Sequence, residues 1–123
     1  MVTNEALHPQ VKEFLQQPHR NFIGGEWVGA SSSASIEVIN PATEDVIAEV
    51  GAATLDDVDR AVAAARKALK GPWSSISSAE RGRLIYRYAD LLEQHADELA
   101  QIETLENGMP LRVSSYMAHG IVV

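Results

Sequence analysis

Between Ser77 and Pro110 the chain carries one apolar stripe with a start signal at one end and a stop signal at the other. Ser77 followed three residues later by Glu80 is a capping box, in which each residue's side chain meets the other's backbone N–H. Leu84, Tyr88, Leu91, Leu92, His95, Leu99, Ile102 and Leu105 then keep to one face at helical spacing. Gly108 and Pro110 stop the pattern, because glycine closes helices and proline cannot continue them. The spacing predicts a helix over 78–107. Any fold for this chain must find room for it.

The segment before it reads as a second amphipathic helix over 55–70. Thr54 is its cap, and Asp56 and Asp57 sit favourably at the positive end of the helix dipole. Val58, Ala61, Val62, Ala65 and Leu69 share a face, and Gly71-Pro72 ends it. After Pro110 a third periodic segment starts: Leu111, then Val113, Met117 and Ile121 at every fourth position. It runs to Ile121-Val122-Val123 without a cap, so the chain reads as cut inside a helix.

Upstream the period changes. Phe22-Ile23 and Glu26-Trp27-Val28 flank Gly24-Gly25, and two glycines suit the positive φ angles of a tight hairpin. Ile36-Glu37-Val38-Ile39 and Val46-Ile47-Ala48-Glu49-Val50 are rich in β-branched residues and surround the turn-like run from Asn40 to Asp45. Strands are expected near 22–28, 36–40 and 46–50, in a small antiparallel sheet. Residues 1–21 read as a polar lead-in, with Val11, Phe14 and Leu15 giving one amphipathic turn before Pro18. The fold class is α/β: a small antiparallel β segment, two amphipathic helices and the start of a third. No internal repeat is present.

Composition excludes several functions. Ten basic residues are scattered through a chain of net charge -7, so no patch exists to displace phosphate counterions from nucleic acid. With no cysteine there is neither a disulfide framework nor a thiolate metal site, which suits a reducing compartment. No stretch approaches the roughly 18 apolar residues of a membrane span. The N-terminus lacks a signal-peptide pattern. A cytoplasmic location is expected.

Few side chains suggest chemistry. His8, His19, His95 and His119 are too dispersed for a metal-ligand spacing. His95 reads as a satisfied, partly buried histidine, and His119 has no identifiable partner. Arg81, Arg83 and Arg87, alternating with Asp90 and Glu93, read as ion-paired surface. Ser74, Ser75, Ser77 and Ser78 lack the histidine and acid that would activate a nucleophile. Gly24-Gly25 and Gly108 belong to no phosphate-cradling pattern. Glu106 is less ordinary, since it opposes the negative end of its own helix dipole, a conflict a nearby cation would remove.

Three blocks occur in order: Phe22-Ile23-Gly24-Gly25-Glu26-Trp27-Val28, Ile39-Asn40-Pro41-Ala42-Thr43, and Glu103-Thr104-Leu105-Glu106-Asn107-Gly108-Met109-Pro110-Leu111. Together they resemble the start of an NAD(P)-dependent aldehyde dehydrogenase, and the likeness covers residues 22–123. The resemblance implies the N-terminal portion of that fold, an incomplete domain wrapping a cofactor-binding domain. It also implies a reaction: a cysteine thiolate adds to an aldehyde, hydride leaves to NAD or NADP, and water hydrolyses the thioester to a carboxylic acid.

None of the residues for that chemistry is here: no catalytic cysteine, no glutamate base and no cofactor-binding residue. The chain alone is expected to be inactive and to bind no cofactor. By resemblance, the carbonyls of Val38 and Ile39 and the carboxylate of Glu106 would hold a monovalent cation. Aspartate is commoner in the family at the last of these positions, and the extra methylene of Glu106 moves the oxygens outward. Met117 and Ile121 match positions that line the aldehyde tunnel, with packing in the core as the plain alternative. Three readings stand: a truncated dehydrogenase, a non-catalytic module that associates with a full-length homologue, and an independent domain with a small-molecule pocket.

Overall fold

Proline brackets the first element. In the computed structural model, which describes residues 7–120, α1 (Pro9–Gln16) starts with Pro9 in its first turn, where a missing N–H costs nothing. The chain then divides into two units. One comprises the residues up to Gln17, Val38–Ala48 and the residues from Leu84 onward; the other comprises Pro18–Glu37 and Glu49–Arg83.

In the second unit β1 (Asn21–Ile23) and β2 (Glu26–Val28) form the expected hairpin, with Phe22 opposite Trp27. Gly24 and Gly25 take φ of +67° and +93°, the left-handed geometry that glycine reaches without a Cβ clash. The Phe22 and Trp27 rings lie 5.0 Å apart, tilted, on an exposed face. α2 (Leu55–Leu69) starts at Thr54 as expected, and α3 (Pro72–Ser75) adds one turn after it. Pro72 ends one helix and opens the next.

β3 (Ser35–Ile39) and β4 (Val46–Gly51) pair antiparallel, with their turn end in the first unit and their open end in the second. The turn is built by Asn40. Its N–H donates to Asp45 O at 2.9 Å, its carbonyl accepts from Glu44 N at 2.8 Å, and its Oδ1 accepts from Ala42 N at 2.9 Å. The last of these satisfies the carbonyl oxygen of a side chain that is buried. Glu44 adopts φ +64°, an uncommon conformation for a residue with a Cβ.

The sequence predicts one helix over 78–107, and here the structure differs. There are two, α4 (Ser78–Gln94) and α5 (Ala96–Asn107), broken at His95. His95 has φ -108° and ψ 13°, and its N–H is shared between Leu91 O at 3.2 Å and Leu92 O at 3.3 Å. Its carbonyl accepts from Leu99 N, so it ends one helix and begins the other. Asp97 and Glu98 then occupy the first turn of a new helix, where the dipole favours them.

The first unit's core has two parts. Leu7, Val11 and Leu105 are buried together, with Leu15, Ile47 and Ile102 against them. Val11 is fully buried, and His8 N–H donates to Gln101 Oε1 at 2.8 Å, so the lead-in is fastened to α5 by packing and by a hydrogen bond. The other part joins α5 to α6 (Leu111–Gly120) through Ala96, Ala100 and Ala118, with Leu111 beside them. Small residues let the two backbones approach. Between these helices Ser114 is fully buried, and its hydroxyl lies 2.7 Å from Thr104 Oγ1, so neither group is left unsatisfied.

Candidate functional site

The second and third of the three sequence blocks meet in the first unit. Gly108 closes α5 at φ +77°, donating its N–H to Thr104 O at 3.1 Å. A Cβ built on it would stand 2.9 Å from Pro41 Cγ, closer than real Cβ contacts come. Glycine is therefore required twice, by its backbone conformation and by Pro41. Past Gly108, the carbonyl of Pro110 accepts from Val113 N at 2.7 Å and opens α6.

The candidate cation donors flank this contact. Ile39 precedes Pro41 by two residues and Glu106 precedes Gly108 by two, so the contact tethers the strand end to the turn bearing the carboxylate. Val38 is half-buried, Ile39 is 49% exposed, and Glu106 is exposed on the last turn of α5. Carbonyl and carboxylate oxygens are the donors a hard cation takes. Among the described residues there is no group of three or more His, Asp or Glu that could hold a metal ion through side chains alone, so main-chain carbonyls would have to complete such a site.

Met117 is 46% exposed on α6, because the face that helix buries is Ser114 and Ala118. Its sequence partner Ile121 lies outside the described residues. Gly24-Gly25 joins two antiparallel strands rather than a strand to a helix. Those N–H groups therefore lack the helix N-terminus on which a dinucleotide pyrophosphate rests.

Three readings of charged residues are corrected. His95 is exposed rather than partly buried, with Nδ1 3.1 Å from Glu98 Oε2, because the helix break turns it to the surface. His119 has a partner after all: its Nε2 lies 3.4 Å from Asp97 Oδ1, a residue 22 positions back that only the packing of α6 on α5 supplies. Arg81 donates to Ile76 O at 2.7 Å and Trp73 O at 3.4 Å, so it clamps the α3–α4 connection instead of pairing with a carboxylate.

The polar cluster that sequence reasoning missed is Asp57. Thr54 and Asp57 form a reciprocal capping box, and Asp57 also accepts from Ser31 and from the Arg60 guanidinium. Hydrogen bonds from the Ser31 hydroxyl, the Thr54 N–H and the Ser31 N–H, with the Arg60 bond after them, hold its carboxyl far below the usual range. The Thr54-x-x-Asp57 spacing was the available signal. The cluster fixes the serine-rich loop to α2 and has no open position for a substrate, since Asp57 is fully buried.

Comparison with known proteins bears on the whole chain. A sequence model of the aldehyde dehydrogenase family matches residues 27–122. The human cytosolic 10-formyltetrahydrofolate dehydrogenase is 51% identical over 79% of this chain and 11% of its own length. An aldehyde dehydrogenase of Alternaria alternata is 50% identical over 88% of the chain and 22% of its own length. An NAD+ complex of aldehyde dehydrogenase from Bacillus cereus superposes with TM-score 0.85 and 43% identity, over 94% of this chain and 26% of that one. The chain thus spans between about a tenth and a quarter of these relatives' lengths. On the family match and these identities, the chain belongs to the aldehyde dehydrogenase family.

Proposed function

We propose that these 123 residues supply the N-terminal portion of an NAD(P)-dependent aldehyde dehydrogenase and carry none of its catalytic groups. The observation that supports this most is the coverage: nearly the whole chain superposes on about a quarter of a complete enzyme. The polypeptide contains no cysteine, so it offers no thiolate to attack an aldehyde. Its own contributions would be structural. Val38 and Ile39 carbonyls with Glu106 would hold a monovalent cation near the Pro41–Gly108 contact, and Met117 with Ile121 would line the aldehyde tunnel. Apolar tunnel walls bind the carbon framework of hydrophobic or aromatic aldehydes. A cytoplasmic location agrees with the absence of cysteine, and no described helix is long and apolar enough to cross a membrane.

The test is an assay of NAD(P)H formation with several aldehydes and either cofactor. The chain alone is expected to give no rate above a protein-free blank. Turnover that survives repurification would overturn this reading.

A second reading has its own support. In the first unit Leu84, Ile85, Tyr88 and Leu91 are exposed, and in the second Leu55, Val58 and Leu69 are exposed. Apolar faces of this extent are those of a protein interface. The alternative function is a non-catalytic module that associates with a full-length homologue. Co-purification of the two at a fixed ratio would favour it, and a chain that stays apart from an intact dehydrogenase would count against it.

A further inference from the structure

We propose that Asn107–Gly108 is a deamidation site whose rate is held down by the C-cap of α5. Succinimide formation needs an asparagine carboxamide, a following N–H that can be lost, and a following residue with no side chain in the way. Of the four asparagines, only Asn107 has all three. Asn40 precedes Pro41, whose ring nitrogen carries no hydrogen. Asn21 precedes Phe22 inside a paired strand, and Asn4 precedes Glu5.

The local geometry favours attack in one respect and restrains it in another. Asn107 is exposed, and its Oδ1 accepts from Met109 N at 2.8 Å. That bond draws the carboxamide back over the peptide that follows it. It also polarises the Cγ–Oδ1 bond in the direction that stabilises charge developing on the oxygen. Against this, the Gly108 N–H is engaged with Thr104 O at 3.1 Å, and Asn107 is held in the last helical turn. The nitrogen becomes available when that turn frays, as helix ends do.

The chemistry balances with solvent alone. Gly108 N loses its proton to solvent and bonds to Asn107 Cγ, and the Cγ–Nδ2 bond breaks as Nδ2 takes up a proton from solvent and leaves as ammonia. Water then opens the succinimide at either carbonyl, leaving an aspartyl or an isoaspartyl residue. Either product puts a new carboxylate on the turn that already holds Glu103 and Glu106, at the negative end of the helix dipole. The isoaspartyl form also lengthens the main chain just before Gly108, where Pro41 leaves no room for even a methyl group.

The test is incubation of the full chain at neutral pH, with and without urea, followed by peptide mapping for the amide-to-acid mass change and isoaspartate-specific methyl labelling. Conversion at Asn107 ahead of Asn4 and Asn21, several-fold faster in urea, is the expected result, and Asn107→Gln should remove the labelling of the peptide that carries that position. Conversion at Asn21 or Asn4 first would overturn the assignment. Equal rates with and without urea would overturn the part given to the cap.

Discussion

Ser31 and Asp57, 26 residues apart, are joined by two hydrogen bonds, Ser31 N to Oδ2 at 3.0 Å and Ser31 Oγ to Oδ1 at 2.6 Å. The pair ties a serine-rich loop to the first turn of α2. One carboxylate thus serves as a helix cap and as an anchor for a loop that has little apolar surface to bury.

Acid should release that anchor. An ordinary aspartate titrates near 3.8, and the bonds to Asp57 depress its value in the folded chain. The stability it contributes is fully present above the unfolded value and is lost as pH falls toward the folded one. Thermal melts should therefore shift down as pH drops below about 5. Asp57→Asn should melt lower at neutral pH and lose less on acidification. Glu80, also depressed by its bonds to the Ser77 hydroxyl and N–H, would supply the acid sensitivity that remains. Equal acid slopes for variant and parent would refute the assignment.

Gly108→Ala should destabilise the chain on two counts. The backbone conformation costs a residue with a Cβ about 1–2 kcal/mol, and the new methyl meets Pro41 Cγ. Pro41→Ala should relieve the second cost and not the first. The double variant is then more stable than the sum of the single losses, as neighbours in contact show. Additive losses in a denaturant series would mean that the two residues do not press on each other.

Val11→Ala tests whether the lead-in is part of the fold. Val11 is fully buried against Leu105, and removing two buried methyl groups costs roughly 2 kcal/mol. A variant as stable as the parent would leave α1 an appendage.

Met117 bears on substrate choice. In a complete dehydrogenase built around this segment, Met117→Ala should reorder aldehydes by kcat/KM with little change in melting temperature, because the side chain is half-exposed here. Ile121→Ala, four positions on in the sequence, should act likewise. A large stability loss with the ranking intact would make these residues packing and remove the inference about substrate.

What could be read from the sequence was local. Gly24-Gly25 gave the hairpin and Ser77 with Glu80 gave the start of α4, since each depends on residues within a turn of one another. The break at His95 was hidden because Leu91, Leu92, Leu99 and Ile102 continue the stripe across it, leaving only Asp97 and Glu98 to hint at a new helix. The buried face of α6 was hidden for a different reason. Val113 and Met117 are the more apolar residues, but Ser114 and Ala118 are small enough to lie against Ala96 and Ala100 of α5. The Ser31–Asp57 pair depends on chain separated by 26 residues, which no window of periodicity spans.

His95 also separates two rotational phases. Each residue added to a continuous helix turns everything beyond it by about 100°. With the ladder interrupted at His95, α5 starts its own count, and its alanine face is set by α6 rather than by the register of α4. A one-residue slip within α4 could be absorbed at that joint, leaving Gly108 still opposite Pro41.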